Sequence, residues 1–168
     1  MLYIQLIGLL AFCMLVLSFY KKEPKKILLF QATANFAYSI HYFLLGAISG
    51  AYISIISILR NILLLIAKKN KTLAAIFIAT LYLIVTVLFY ENLYSILPMI
   101  ANSIYIVAIL KDSKLSLLKA QLIGSVLWFT YGFAVSSYVE MFAQVVLAIS
   151  SIIQIKKINN SKKDTSNN

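Results

Sequence analysis

Apolar stretches of about 17 to 22 residues alternate with short polar clusters along the whole chain. A helix of that length crosses a bilayer core of about 30 Å. The stretches run at about Leu2 to Tyr20, Ile27 to Ile48, Ala51 to Ala67, Thr72 to Tyr90, Leu93 to Leu110, Leu115 to Val135 and Tyr138 to Ile155. They predict seven transmembrane helices. Together they use about four fifths of the 168 residues, which leaves no room for a soluble domain, and the polar end 159–168 is expected to be a disordered tail.

Composition agrees: 62% of residues are hydrophobic and 12% charged, where a soluble domain has roughly 45–50% and 25%. The formal charge of +10 comes from lysines. Lys21, Lys22, Lys25 and Lys26 lie in the first loop, Lys68, Lys69 and Lys71 in the third, Lys111, Lys114 and Lys119 in the fifth, and Lys156, Lys157, Lys162 and Lys163 in the tail. The even-numbered connections lack them. By the positive-inside rule the lysine side is cytoplasmic, with the N-terminus outside and the C-terminus inside a bacterial cytoplasmic membrane. The lysines are therefore topology determinants facing anionic headgroups, and no nucleic-acid partner is expected. The first segment has no basic residues before its apolar run, unlike a cleaved signal.

A shift of 90 residues superposes Lys21 on Lys111, Leu28 on Leu118, Gln31 on Gln121 and Phe43 on Phe133. After a two-residue gap, a shift of 88 sets Leu59 on Leu147 and Lys68-Lys69 on Lys156-Lys157. Segments one to three and five to seven share an orientation, and the uncharged fourth inverts between them. The expected fold is an all-α membrane protein with two parallel three-helix bundles joined by a linker helix, a 3+1+3 plan also found in SWEET sugar transporters. Its parts would be 1–69, the linker 70–92, 93–158 and the tail 159–168.

Gln31, Asn35, Tyr38 and Tyr42 fall on one helical stripe of segment two, and Gln121, Ser125, Trp128 and Gly132 repeat it in segment six. Polar groups facing lipid would go unsatisfied, so both stripes should look inward, as hydrogen-bonding glue or as cavity lining. At 1.5 Å per residue, Asn35, Arg60, Asn102 and Trp128 all lie within roughly 5 Å of the midplane. Trp128, the sole tryptophan, is deep rather than in the headgroup belt, and serves either packing or a site. Arg60 is the only basic residue inside a span, where insertion costs about 2.5–3.5 kcal/mol. With Asn61 and Ser57 beside it, it is either the anchor of a solute site or fixed to carbonyl and tyrosine oxygens within the packing. A direct Arg60–Glu140 salt bridge is not expected, since helical rise separates the two by about 13 Å.

His41 lies near the outer end of segment two, and Glu140 with Gln144 makes an i, i+4 pair at the outer end of segment seven. They form either an outer gate or a proton-responsive pair, or else a hydrogen-bonded interfacial histidine and a solvated carboxylate. One His, one Cys and scattered acids make no metal site. Hydrolytic and nucleotide-binding motifs are missing, so no cofactor and no enzymatic activity are expected.

Gln5-x-x-Gly8, Ala11-Phe12, His41-Tyr42-Phe43-Leu44-Leu45-Gly46, Ile58-Leu59-Arg60, Leu97-Pro98-x-Ile100, Trp128 and Val139-Glu140 follow in order. Over most of its length the chain thereby resembles the YgjV family of bacterial inner-membrane proteins. Tyr131 departs from it, standing where a second histidine occurs. The family is distantly similar to the SWEET and PQ-loop group, and Trp128-Phe129-Thr130-Tyr131-Gly132 is similar to the W-x-x-Y-G of SWEET-type helices. The PQ dipeptide is absent, since Met99 follows Pro98. The resemblance implies fold and location more than activity.

The expected function is movement of a small polar solute through a central site. Arg60 would be the anchor, with Asn35, Asn61, Asn102 and Tyr38 as hydrogen-bonding partners and Trp128 as a stacking wall. Pro98 would be a hinge, and His41, Tyr131, Glu140 and Gln144 would lie at the gate. A non-transporting receptor or partner-binding scaffold is the alternative. Expected partners are the lipid bilayer and the solute, with a second copy of the chain as a further candidate. With Cys13 replaced by serine, a single cysteine in the first loop is expected to be protected from an impermeant external thiol reagent; labelling from outside would reverse the orientation.

Overall fold

The computed structural model describes residues 2–19, 21, 23–66, 70–111 and 113–166. The predicted ends Tyr20 and Ala67, and Lys22, Lys68 and Lys69, lie outside the described residues, as do the side chains of Lys25, Lys162 and Lys163. The described residues form seven α-helices and no strand: α1 Leu2–Phe19, α2 Pro24–Leu44, α3 Ile48–Ile66, α4 Lys71–Leu88, α5 Ile96–Leu110, α6 Lys114–Ala134 and α7 Tyr138–Ser166. A 3-10 turn, Leu93–Ser95, leads into α5. Pro24 starts α2, where its fixed φ suits a helix and its missing N–H removes no helical bond.

Among the described residues, three stretches have the length and hydropathy to cross a membrane: Lys71–Leu88, Leu93–Leu110 and Tyr138–Asn160. Leu2–Ser18 and Ile48–Leu63 are apolar but shorter. α2 and α6 fall below that mark because each carries a polar stripe. Those stripes face the protein interior, while Leu29 and Phe36 of α2 and Ile123 and Val126 of α6 are exposed, as lipid contact requires.

Helices adjacent in the chain are adjacent in space. α2 packs against α1 and α3, α6 against α5 and α7, and α4 bridges α3 and α5; α1 meets α7 and closes a ring. One buried cluster joins Ala11, Tyr38, Tyr42, Ala47, Ala51 and Tyr131, and a second joins Ile53, Ile56, Ala75, Ile78, Tyr82 and Ile106. The second cluster makes α4 a packed wall of the ring rather than a connector alone.

The internal repeat is clearest in the backbone. After α2, Leu45 N–H donates to His41 O, Gly46 N–H to Phe43 O and Ala47 N–H to Tyr42 O. After α6, Val135, Ser136 and Ser137 donate to Tyr131, Phe133 and Gly132 in the same pattern. Gly46 (φ 75°) and Ser136 (φ 56°) both turn left-handed there, a cost of roughly 1–2 kcal/mol for a residue with a Cβ such as Ser136. Every pair keeps the offset of 90. The same offset carries into the next helices, α3 from Ile48 and α7 from Tyr138, so the two-residue gap expected between Phe43 and Leu59 does not open at this corner.

One further expectation changes, and Pro98 takes a definite place in its helix. Residues 159–166, read as a disordered tail, continue α7 to Ser166: no Gly or Pro interrupts the segment, and extending a nucleated helix costs little. Pro98, read as a hinge, is the third residue of α5. In that first turn its N–H would lack a helical acceptor in any case, so it breaks no bond and compels no kink.

Close packing at two glycines gives opposite expectations. A Cβ on Gly50 would lie 2.5 Å from the Tyr131 hydroxyl, whereas on Gly124 its nearest neighbour, Ala101 Cβ, is 3.9 Å away. Gly50→Ala is expected to lower stability by about 1–3 kcal/mol through overpacking, while Gly124→Ala leaves it unchanged or raises it by up to about 1 kcal/mol. Unfolding in mixed detergent micelles checks the order.

Candidate functional site

At the end of the ring opposite the lysines, α2 and α1 are tied to the start of α7, and α6 to the start of α3. His41, on α2, reaches the start of α7: its Nε2 is 2.7 Å from Ser137 Oγ, and its Nδ1 is 2.8 Å from Ile4 O. A carbonyl only accepts, so Nδ1 carries the hydrogen, and in a neutral ring Nε2 accepts from the Ser137 hydroxyl. Tyr131, at the equivalent place on α6, reaches the start of α3. Its hydroxyl accepts from Gly50 N–H at 2.9 Å and pairs with Ser49 Oγ at 3.1 Å. Gly8 and Gly50 leave room for these rings, since a Cβ on Gly8 would stand 2.9 Å from His41 Cε1. Gln5 adds a third tie, donating to Ser136 O and accepting from Val139 N–H. Glu91 accepts from Ile48 N–H, Ser49 N–H and Ser49 Oγ at 3.2–3.4 Å, placing a carboxylate on the orphan donors of the α3 N-terminus.

The predicted gate residues therefore divide. His41 and Tyr131 are in the closed end, while Glu140 and Gln144 lie deeper, at a cavity. The solvated reading of Glu140 fails, because it is 3% exposed, whereas His41 is hydrogen-bonded through both ring nitrogens. α2 covers Glu140 with Tyr38 and Tyr42, whose hydroxyls approach its carboxyl without closing a bond of good geometry.

A second polar cluster surrounds Arg60, which is 8% exposed. Its Nη1 donates to Asn102 Oδ1 at 2.9 Å, and its Nε and Nη2 both donate to Asn61 Oδ1 at 3.2 Å. The guanidinium lies 5.2 Å from the centre of the Tyr105 ring. Asn102 is held in turn, because its Nδ2 donates to Pro98 O at 2.9 Å. Ser57 Oγ and Tyr82 Oη, 2.8 Å apart, extend the network to α4. Charge-assisted bonds of about 1.5–3 kcal/mol each are enough to offset the cost of inserting an arginine, about 2.5–3.5 kcal/mol. Among the described residues no acid pairs with Arg60; the only ion pair there is Lys26–Glu23, on the surface. The expected lack of an Arg60–Glu140 bridge agrees.

Between these clusters lies a cavity of about 130 Å³. α2 contributes Gln31, Asn35, Tyr38 and Tyr42; α3 Ser54, Ser57 and Arg60; α5 Asn102 and Tyr105; α6 Gln121, Gly124 and Trp128; and α7 Glu140 and Gln144. The four midplane residues Asn35, Arg60, Asn102 and Trp128 thus meet at one space. Asn61 stands behind Arg60, and Pro98, His41 and Tyr131 are outside the lining. The α2 stripe is cavity lining throughout. In α6 the lining is Gln121, Gly124 and Trp128, while Ser125 accepts a hydrogen bond from Gln121. Trp128 stacks on Tyr42 with ring centres 5.9 Å apart.

Tyr82 and Tyr105 went unread as site residues. Tyr105 stands at i+3 from Asn102, a spacing that carries it onto the same face; Tyr82 had no such signal, because its partners belong to other helices.

Over residues 2–162 the sequence matches a family described as Imp-YgjV, bacterial inner membrane protein. The chain belongs to the Imp-YgjV family. No curated protein and no solved structure matches it. For an inner-membrane protein of the Imp-YgjV family the buried polar clusters acquire their energetic meaning, since bilayer hydrocarbon offers no hydrogen bonds and their partners must come from within.

Asn102→Leu removes the best acceptor of Arg60 and is expected to cost about 1.5–3 kcal/mol, the worth of a bond to a charged group. Tyr82→Phe should cost about 0.6 kcal/mol, the average for interhelical bonds in membranes. Equal losses in detergent unfolding would show that the guanidinium does not depend on Asn102.

Proposed function

We propose that this chain is a carrier of a small polar solute rather than an enzyme, built as two parallel three-helix bundles, α1–α3 and α5–α7, joined by α4. The observation that carries the reading is the polar cavity, which six helices line, three from each proposed bundle, and which holds a buried arginine without an acid partner. A purely structural arginine would be expected to use its donors up within the packing. Arg60 spends three N–H groups on two amide oxygens, and a guanidinium has five.

The orientation with the N-terminus outside and the C-terminus in the cytoplasm draws support from Lys21, Lys26, Lys71, Lys111 and Lys114, which flank the helix ends away from the His41–Tyr131 contacts. On that orientation the closed end is the outer one. The cavity reaches from Glu140 toward Gln31 and Gln121, each seven residues after the first residue of its helix at the lysine end. It is the geometry of a carrier held shut outside, with Arg60, Asn35, Asn102, Tyr38 and Trp128 around the solute and Asn61 bracing Arg60. Rocking of one bundle on the other would expose the same site to the other side.

Ligand screening by thermal unfolding of the purified protein tests this, because a solute present at 100 times its Kd adds about 2.7 kcal/mol of stability. A solute that stabilises the protein and enters proteoliposomes is expected to lose both effects in Arg60→Ala. Unchanged binding and uptake in that variant would remove Arg60 as anchor. Binding without uptake would favour a receptor on the same scaffold.

A further inference from the structure

The cavity holds two ionisable groups of opposite sign that do not meet. Arg60 and Glu140 both line it and are more than nine-tenths buried. Arg60 bonds only to neutral amide oxygens. Glu140 Oε1 accepts one N–H from Gln144 at 2.7 Å. Its Oε2 has no partner, nor have Gln144 Oε1 and the hydroxyls of Tyr38 and Tyr42. One end of the space is thus rich in unused acceptors and aromatic faces, with Tyr42 stacked between Tyr38 and Trp128 at 6.2 and 5.9 Å. Carboxylate, amide carbonyl and hydroxyl oxygens together are the chemistry that receives an ammonium group. The other end offers the two spare N–H groups of a guanidinium, the fork that receives a carboxylate.

The geometry points to a small zwitterion as the ligand, with its ammonium at Glu140, Tyr38 and Tyr42 and its carboxylate at Arg60. This rests on the solute-site reading above and narrows it. A neutral polyol would bring no ionic partner to either group, a simple anion would answer only the spare N–H groups of Arg60, and a simple cation only the open carboxyl oxygen of Glu140. A molecule that carries both charges answers each without adding net charge to the low-dielectric interior. The space of about 130 Å³ limits the ligand's size, and the helical-rise separation of about 13 Å between Arg60 and Glu140, bridged in part by the two side chains, favours a zwitterion whose charges are set apart over an α-amino acid.

The test is thermal unfolding of the full chain in detergent with glycine, β-alanine, γ-aminobutyrate and glycine betaine. Butyrate, butylammonium and glucose at equal concentration are the controls. At least one zwitterion is expected to raise the unfolding temperature while the singly charged compounds and glucose do not. Glu140→Gln and Arg60→Gln are each expected to weaken that zwitterion at least tenfold. They should also shift preference in opposite directions, toward butyrate in Glu140→Gln and toward butylammonium in Arg60→Gln. A merely structural role would weaken all probes alike and would overturn the assignment, as would full zwitterion binding by Glu140→Gln, a near-isosteric change that decides the matter even if Arg60→Gln does not fold. Stabilisation by glucose with no response to zwitterions would end the zwitterion inference and leave the solute site standing. No response to any probe would count against both.

Discussion

Bilayer hydrocarbon gives a buried polar group nothing to bond to, and Arg60 is where that constraint presses hardest. Its nearest remedy lies in its own helix, Asn61, but that amide supplies one oxygen to two N–H groups at 3.2 Å. The shorter bond comes from Asn102 on α5, so satisfying the arginine requires α3 and α5 to approach. Asn102 in turn is fixed by Pro98 O and approached by Ser57 and Tyr82. Three helices are thereby drawn together by one side chain. α3 and α5 touch little by themselves, and α4 fills the gap between them. α4, whose buried polar side chains are Tyr82 and Thr86, is thus tied into the ring through its tyrosine.

The duplicated frame and its unequal side chains do different things. Backbone geometry is shared at the two corners after α2 and α6, and at each a ring from one half reaches the first turn of a helix in the other. The chemistry at equivalent positions is not shared. His41 corresponds to Tyr131, Gly50 to Glu140 and Arg60 to Ser150 at the offset of 90. The departures from the 90-residue correspondence place a cation on α3 and an acid on α7, both at one cavity. A fully symmetric pair would have put like charges face to face.

Much of this was legible in the chain. The polar stripe of α2 and the common depth of Asn35, Arg60, Asn102 and Trp128 follow from 3.6-residue periodicity and a 1.5 Å rise, and these four do line one cavity. Periodicity is a property of one helix, and it failed where the answer depended on another. Glu140, near the start of an apolar segment, reads as solvated until the tyrosines of α2 are seen to cover it. Pro98 reads as lying inside its helix only if α5 begins at Leu93; the 3-10 turn delays the α-helix to Ile96 and places the proline in the first turn. The two-residue gap was inferred from a few matching residues near the lysine ends.

For the carrier proposed above, the closed end also says how large a barrier has to be overcome. The halves are tied there by five hydrogen bonds, His41 to Ser137, Tyr131 to Ser49 and Gly50, and Gln5 to Ser136 and Val139. At about 0.6 kcal/mol each they amount to about 3 kcal/mol, which leaves an open state in the range of 0.1–10% that characterises working conformational equilibria. The bonds are too weak to lock the end and numerous enough to keep it shut most of the time. Tyr42 joins the two regions, since it stacks with Trp128 beside the cavity and lies against both His41 and Tyr131. A solute that displaced Tyr42 would disturb both rings of the clasp at once.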